Sequence, residues 1–191
     1  DHFHVPLHVV NVSTEFLALV KAPRYGYGTA MNPCRDCHIM IFKKAHALLD
    51  TFDASFIVTG ETVGQRPMSQ LKDTLRFIER QSGLEGRIVR PLSGKLLPPT
   101  IAEKEGIISR SLFLDIAGRS RTQQLALAKE FNLTSFTQPA GGCILTDTSF
   151  SHRLADAFRA GYEHPRDIML LRWGRHFRFS ACSPRSRATP P

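Results

Sequence analysis

Three short runs rich in β-branched residues alternate with helical segments in the first ninety residues of the chain. The runs cover residues 8–12, 55–59 and 87–90, and helical periodicity covers residues 37–49 and 69–80. Parallel strands need a long crossover connection, usually a helix, so this alternation is typical of a parallel sheet. The sequence therefore predicts an α/β fold with a doubly wound parallel sheet, in which sites lie at the carboxyl ends of the strands.

The pattern after residue 98 is mainly helical. Thr100 and Glu103 have the spacing of a capping box, which predicts a helix that begins after Thr100. Residues 123–131 and 149–160 have the period of amphipathic helices. The apolar residues 168–171 predict a last short strand.

The chain is basic. Its 191 residues include 25 Lys and Arg against 17 Asp and Glu, which gives a net charge of +8. A basic domain of this size favours polyanionic partners, with nucleic acid first and an anionic membrane surface second. The sequence shows neither an apolar run of transmembrane length nor a signal peptide, so we expect a cytoplasmic protein without a membrane partner.

Three cysteines form the sharpest chemical pattern. Cys34 and Cys37 make a C-x-x-C pair at the start of a predicted helix, and Cys143 follows two glycines. A helix N-terminus favours the thiolate, which is the form that binds metals and attacks sulfur. Three thiolates can bind a [4Fe–4S] cluster or zinc, the pair can act as a redox dithiol, and all three can be core cysteines. His38 could add a zinc ligand, and Cys182 is assigned no role.

The loop after the second predicted strand is a candidate nucleotide site. Gly60 and Gly64 let the backbone pass close to a ligand. The carboxylate of Glu61 can accept a hydrogen bond from a ribose hydroxyl, and the amide of Gln65 can contact a base edge. An ordinary connection between a strand and a helix would have a similar sequence, so both interpretations stay open.

Several clusters of basic residues are candidate RNA contacts. Arginine suits contact with phosphate, and aromatic residues between arginines suit stacking on bases. A solvated basic surface is the alternative for each cluster. The candidates are Arg90, Lys95, Arg119, Arg121 and Arg175.

Four motifs, in this order, resemble the tRNA 4-thiouridine synthase family and, more broadly, the pyrophosphatase-loop tRNA sulfurtransferases. The motifs are Asn32-Pro33-Cys34-x-x-Cys37, Thr59-Gly60-Glu61-x-x-Gly64-Gln65, Arg90-Pro91-Leu92 and Pro139-Ala140-Gly141-Gly142-Cys143. Together they extend the resemblance over residues 5–178. The first and last motifs are similar to those of the subset that binds a [4Fe–4S] cluster through three cysteines.

The resemblance implies ATP-dependent thiolation of a tRNA uridine to 4-thiouridine or 2-thiouridine. ATP with Mg²⁺ would adenylate the uridine oxygen, and sulfur would then displace AMP. Cys34, Cys37 and Cys143 would hold the [4Fe–4S] cluster, with zinc as the alternative metal, or Cys34 and Cys143 would act as catalytic sulfur-relay thiols. The residues expected to line the ATP site are Gly60, Glu61, Gly64 and Gln65.

The resemblance also implies partners, a fold type and a domain organisation. The partners would be tRNA and a sulfur donor, either sulfide or a cysteine desulfurase, and a homodimer is left open. The fold would be of the adenine nucleotide alpha hydrolase type, with a nucleotide-binding α/β domain at residues 1–98. Residues 99–178 would be a helical continuation that brings Cys143 to the site, and residues 179–191 a disordered basic tail.

One element of the family is not in this sequence, namely the glycine-rich SGG-x-DS phosphate loop that follows the first strand. The sheet would therefore lack its first strand, and we expect the chain to be a fragment of a longer enzyme, or an inactive protein if it is whole. Two other functions stay open. One is a zinc-stabilised RNA-binding module without catalysis, and the other is an enzyme of the same superfamily that acts on a small molecule.

Overall fold

A computed structural model describes residues 5–133 and 142–177 of the chain, and the predicted tail at 179–191 lies outside them. The helices and strands in these residues are α1 (Ser13–Lys21), α2 (Cys34–His46), β1 (Ile57–Val58), α3 (Lys72–Ser82), β2 (Ile88–Val89), α4 (Ile101–Lys104), α5 (Thr122–Glu130), α6 (Thr148–Arg159) and α7 (Pro165–Leu170). Short 3₁₀ turns lie at Asp50–Phe52, Gly94–Leu96, Arg110–Leu112 and Ile144–Thr146.

The two strands pair in parallel and are joined by α3. Ile57 lies opposite Ile88, and Val58 lies opposite Val89. This pairing confirms the strands predicted within residues 55–59 and 87–90, although each is shorter than expected. The doubly wound class and the adenine nucleotide alpha hydrolase type stay predictions.

Two other predicted strands are wrong. Residues 8–12 have no regular structure, and Val9 is 84% exposed. No strand of the described residues pairs with them, so their β propensity is not used in a ladder. Residues 168–171 lie mostly in α7, which begins with Pro165 after a capping residue, His164, whose Nδ1 accepts a hydrogen bond from the backbone N–H of Arg166 at 3.2 Å.

The predicted helices are confirmed with shifted ends. α2 begins at Cys34, directly after Pro33. α3 begins at Lys72 and ends at Ser82, and the next residue, Gly83, has a left-handed φ of 73°. Thr100 forms the predicted capping box with Glu103. None of the helices in the described ranges combines the length and the apolar character that a bilayer crossing requires.

The core between the sheet and its helices holds α2 in place. Phe42 of α2, Ile78 of α3, Leu84 and Ile88 of β2 belong to one buried apolar cluster. Each such side chain contributes on the order of 2 kcal/mol when it leaves water. Because α2 contacts α3 and shares this cluster with α3 and β2, the start of α2 is held near the loops that follow β1 and β2.

A second buried cluster joins the two ends of the described chain. Val20 of α1 packs with Phe150 and Leu154 of α6 and with Ile168 of α7. The helical part after residue 98 therefore shares its core with a helix of the first part. The domain boundary after residue 98 stays a prediction.

Candidate functional site

The site begins with the loop that leads into α2. The carboxylate of Asp36, in the first turn of the helix, accepts hydrogen bonds from the backbone N–H groups of Arg24 at 2.9 Å and Tyr25 at 3.0 Å. Asp36 is buried, so these bonds tie the preceding loop firmly to the helix start. The N-terminus of a helix carries a partial positive charge that favours a thiolate. Cys34, the first residue of α2, stands at this end.

Cys34 and His38 lie one turn apart on α2 and contact each other. Residues four apart share a helix face, and a hydrogen bond joins the His38 ring to the Cys34 sulfur. On its other side, Nδ1 of His38 lies 3.0 Å from Oε1 of Glu61, in the loop after β1. His38 therefore lies between the Cys34 sulfur and the Glu61 carboxylate.

Arg90 links Glu61 to helix α3. Its Nε donates a hydrogen bond to Oε2 of Glu61 at 2.9 Å, and its Nη1 donates to Oε1 of Glu79. Arg90 directly follows β2, and only 2% of its side chain is exposed. A buried charge requires counter-charges, and the two carboxylates supply them. We refer to His38, Glu61, Arg90 and Glu79 as the ion-pair chain.

The ion-pair chain and its neighbours change the pKa values at the site. Burial raises the pKa of the Cys34 thiol, but hydrogen bonds from His38 and Ser69 and the positive charges of His38 and Arg66 outweigh it, so the pKa lies below its ordinary value. Burial lowers the pKa of His38, but its hydrogen bonds with Cys34 and Glu61 and their negative charges raise it to about 9. The site therefore favours a thiolate beside an imidazolium.

Cys37 and Cys143 complete the set of thiols. Burial raises the pKa of Cys37 to about 11, and the negative charges of Cys34 and Cys143 add to the rise. Coulomb interactions weaken with distance, so Cys143 is near enough for its charge to act on Cys37. Cys143 is exposed, whereas Cys34 and Cys37 are half-buried, and all three are thiols. The structure thus brings the three sequence-predicted cysteines within electrostatic reach of one another.

The proximity of the three cysteines does not by itself form a metal site. In residues 5–133 and 142–177, no group of three or more His, Cys, Asp and Glu side chains is arranged to hold a metal ion. The type of donor nonetheless fits a soft metal or an iron–sulfur cluster, which thiolates bind in proteins. Cluster and zinc binding by Cys34, Cys37 and Cys143 stay predictions.

Buried polar atoms without a partner concentrate around this site. Such an atom costs about 1–3 kcal/mol, and the number in a native protein is small. Ser69 is fully buried, and its Oγ has no nitrogen or oxygen partner among the described residues, so the Cys34 sulfur is the group that its hydroxyl interacts with. The atoms found in the described part of the chain are Glu61 Oε1, Ser69 Oγ, Gln70 Oε1, Arg90 Nη2 and Gln124 Oε1.

The predicted nucleotide residues all lie in the loop after β1. Gly64 has a φ of 75°, which favours glycine, and a Cβ there would lie 3.5 Å from the backbone N of Gly118. Gly60 is exposed and Gln65 is half-buried. The carboxylate of Glu61 contacts His38 and Arg90, so a ribose hydroxyl would have to compete with both. Contact of this loop with ATP stays a prediction.

The predicted RNA contacts differ in exposure. Arg90 is buried in the ion-pair chain, so a phosphate cannot reach it in this conformation. Lys95, Arg119 and Arg175 are exposed, and Arg121 is partly exposed. These four are open to solvent and able to meet a polyanion.

Sequence reasoning missed the roles of His38, Ser69 and Glu79. The spacing of Cys34 and His38 is a signal that could have revealed their contact, because residues four apart meet on a helix. The pairing of Glu79 with Arg90 has no such signal, because it joins two elements 11 residues apart.

Comparison of the chain with models of protein families, with curated proteins and with solved structures finds no match. A functional proposal therefore depends on the residues of the site and on the motifs of the sequence.

Proposed function

We propose that this chain is part of an ATP-dependent tRNA sulfurtransferase that forms 4-thiouridine or 2-thiouridine. The observation that supports this most is the contact of the Cys34 thiol with His38, whose pKa is raised to about 9, with Cys37 and Cys143 within electrostatic reach of each other. Thiols next to a positive charge are the reactive or metal-binding thiols of proteins. Glu61, which contacts His38, and Arg90, which contacts Glu61, follow the carboxyl ends of β1 and β2, where ligands bind to parallel sheets.

The proposed reaction has two steps. The uridine carbonyl oxygen attacks the α-phosphorus of ATP, pyrophosphate leaves, and the oxygen now carries AMP. A sulfur nucleophile then adds to the carbonyl carbon of the adenylated uridine. The bond between this carbon and its oxygen breaks, and AMP leaves with the oxygen. Residues 60–65 would hold the nucleotide, and Mg²⁺ would accompany its phosphates.

A persulfide is one form in which the sulfur can arrive. The Cys34 thiolate would take the outer sulfur from the persulfide of a cysteine desulfurase, whose own thiolate leaves. The terminal sulfur on Cys34 would attack the adenylated uridine and displace AMP. Cys143 would then attack the Sγ atom of Cys34, which releases the thiouridine and leaves a Cys34–Cys143 disulfide for an external dithiol to reduce.

A [4Fe–4S] cluster is the other carrier. Its protein ligands would be Cys34, Cys37 and Cys143, and when bound it would supply one iron without a protein ligand for hydrosulfide. The electrostatics of the three thiols fit the binding of such a cluster. Burial and the charges of its two neighbours raise the pKa of Cys37 to about 11, and a bound cation would relieve this cost.

The basic surface supports RNA as the substrate. The net charge of +8 includes exposed Lys95, Arg119 and Arg175, which are free of the ion-pair chain. Contacts of this kind give nucleic-acid binding that weakens steeply with salt. A salt-dependent affinity for tRNA therefore favours this function over an enzyme that acts on a small molecule.

Anaerobic purification with analysis of iron, sulfide and zinc tests the proposal, together with labelling by a cysteine desulfurase and radioactive cysteine sulfur. We expect either about four irons per chain or labelled sulfur on Cys34. Cys34→Ala and Cys143→Ala should lose the iron, and Cys34→Ala should lose the label. Cys182→Ala, outside the described residues, is the control that should keep both.

Two results would redirect the assignment. Zinc without iron, and no sulfur on Cys34, would favour the zinc-stabilised RNA-binding module. Iron that survives in Cys34→Ala and Cys143→Ala, together with label that survives in Cys34→Ala, would refute the assignment of these thiols to sulfur transfer.

A further inference from the structure

A hollow lies between helices α1, α2 and α3. It has a volume of about 450 Å³, and its walls include Leu19 of α1, Met40 of α2 and Gln81 of α3. Each residue turns an α-helix by about 100°, so Met40 lies about 200° around α2 from His38. Cys34 and His38 are not part of the walls. The hollow is therefore separate from the cysteine site and lies on the opposite face of α2.

One part of the wall is apolar. It consists of Leu19, Ile39, Met40 and the ring of Tyr25. The Tyr25 ring is held by an edge-to-face contact with Phe77, in which the ring centres are 5.0 Å apart. Covering apolar surface with a ligand is favourable, because the surface leaves water. This part of the wall therefore suits a flat group with apolar faces.

The charges at the hollow are mainly positive. Arg24, Lys43 and Lys44 line it, and Lys44 is paired with Glu15 at 2.6 Å between Nζ and Oε1. Arg24 and Lys43 are exposed, and neither forms an ion pair with a carboxylate in residues 5–133 and 142–177. Asp36 also lines the hollow, but both of its carboxylate oxygens accept hydrogen bonds from backbone N–H groups. Two cations are therefore available to an anion.

Gln81 supplies a hydrogen-bond donor at the same hollow. Its Oε1 accepts a hydrogen bond from the hydroxyl of Tyr25 at 2.8 Å, which fixes the orientation of the amide. Its Nε2 then presents the N–H donors of the amide, and no acceptor for them lies within the described part of the chain. A donor that is covered without an acceptor costs free energy. A ligand that fills the hollow therefore needs an acceptor at its edge.

The apolar wall, the two cations and the amide donor together favour a nucleotide. A base offers flat faces and acceptor atoms at its edge, and the phosphate supplies the anion. The volume of the hollow falls within the range of about 300–1,000 Å³ that ligand sites have. A lipid chain would leave the amide of Gln81 without an acceptor, and protein–protein interfaces are depleted of lysine.

We propose that this hollow binds a nucleoside monophosphate, with its phosphate at Arg24 and Lys43 and an acceptor atom of its base at Nε2 of Gln81. We call it the α2 hollow. A free nucleotide and one unit of an RNA strand offer the same base and phosphate. The site goes beyond the proposed function and does not rest on it, because neither the thiols nor the loop after β1 takes part.

Isothermal titration calorimetry of the full chain with uridine 5′-monophosphate (UMP) tests the α2 hollow. We expect a single saturable site per chain. Uridine, which lacks the phosphate, should bind at least about 10-fold more weakly, because it loses the charge-assisted hydrogen bonds. A titration with a short oligouridylate distinguishes the two sources of the nucleotide. An affinity equal to that of UMP indicates a free nucleotide, whereas an affinity at least about 10-fold higher indicates RNA.

Two variants separate the phosphate from the base. Lys43→Met removes the charge and keeps the length of the side chain, so the affinity for UMP should fall by about 3- to 10-fold while that for uridine is unchanged. Gln81→Leu removes the amide donor, so the affinities for UMP and uridine should fall by the same factor, about 3- to 10-fold. Lys129→Met, which changes an exposed lysine of α5 outside the hollow, is the matched control and should bind UMP as the wild type does.

Three results would overturn the α2 hollow. The first is that neither UMP nor oligouridylate binds, and the second is wild-type affinity for UMP in both Lys43→Met and Gln81→Leu. The third is a loss of UMP binding in Gln65→Leu alone, which would place the nucleotide at the loop after β1. Iron content and labelling of Cys34 are measured without nucleotide, so the failure of sulfur transfer and the failure of this hollow are distinguishable.

Discussion

Arg90→Met removes the cation between Glu61 and Glu79 while it keeps most of the side-chain volume. The side chain of Arg90 is 2% exposed, and those of Glu61 and Glu79 are 7% and 15% exposed, so water cannot readily replace the guanidinium. Loss of one partner from a buried ion pair costs about 3–5 kcal/mol, because the other charge is left buried. Glu61 keeps His38 as a partner. We therefore expect the free energy of unfolding to fall by about 3 kcal/mol near neutral pH, measured by urea denaturation.

The loss should shrink in acid. Burial raises the pKa of Glu61, but the hydrogen bond from His38 and the charge of Arg90 lower it below its ordinary range. This lowered pKa contributes stability above the pKa of the unfolded state, and the contribution is lost as pH falls through the pKa of the folded state. Without Arg90, Glu61 takes up a proton more readily. The difference between variant and wild type should therefore fall between about pH 7 and about pH 4.

A matched variant and a double variant isolate the effect. Arg159→Met removes an ion pair with Asp156 at 3.6 Å whose arginine is 74% exposed, and it should cost no more than about 0.5 kcal/mol. Glu61→Gln with Arg90→Met should be less destabilised than the sum of the single variants by about 1–3 kcal/mol. A cost for Arg90→Met below about 1 kcal/mol, or a cost that is the same at both pH values, would refute the assignment of Arg90 as a buried counter-charge.

Three further predictions concern the same region. Gly94→Ala should lower the free energy of unfolding by about 1–3 kcal/mol in urea denaturation, because a Cβ there would lie 2.2 Å from a ring carbon of Phe113. The control Gly60→Ala should be nearly neutral, since no atom lies within 4 Å of its Cβ position. Equal costs in the two variants would contradict the close packing at Gly94. The pKa of His38 is raised to about 9, so the stability it contributes is fully present below the ordinary pKa of 6.5 and is lost as pH rises through 9. His38→Gln should therefore lose less free energy of unfolding than the wild type over this pH window. If variant and wild type lose the same free energy of unfolding, His38 is not the source of the loss. Iodoacetamide near neutral pH should alkylate Cys34 before Cys37, since the pKa of Cys34 lies below its ordinary value and that of Cys37 is about 11; mass spectrometry that finds Cys37 modified first would reverse the assignment.

The elements that could be predicted are those whose signals are local. The capping box of Thr100 and Glu103 satisfies backbone donors within one turn, and it forms as expected. Ile88 and Val89, the two residues of β2 within the predicted run 87–90, are apolar and buried on both faces of the strand. Residues 8–12 have equal β propensity but form no strand, because a strand requires a neighbour to bond with, and the sequence of the strand itself does not supply one.

The sequence indicated which cysteines form the site but not the charges that shift their pKa values. Spacing indicates that Cys34 and Cys37 share a helix start, and the fold brings Cys143 into their field. The basic residues were harder to assign, because Arg90 and Lys95 have similar sequence surroundings. Their difference follows from position. Arg90 follows a strand that is buried on both faces, so its charge requires carboxylates, whereas the side chain of Lys95 is exposed in a 3₁₀ turn.

The cost of the ion-pair chain is itself an argument that the site is functional. A chain selected only for stability would fill the space beside β2 with apolar side chains, because these replace a buried ion pair with little loss or with a gain. Here Arg90 stays buried between Glu61 and Glu79, and Ser69 is fully buried with a hydroxyl that interacts with the Cys34 sulfur and has no nitrogen or oxygen partner among the described residues. These groups lower stability locally, yet together they position an imidazolium and a hydroxyl against one thiol. Local violations of stability rules concentrate where a protein needs chemistry, so the arrangement is better explained by what it does to Cys34 than by what it does for the fold.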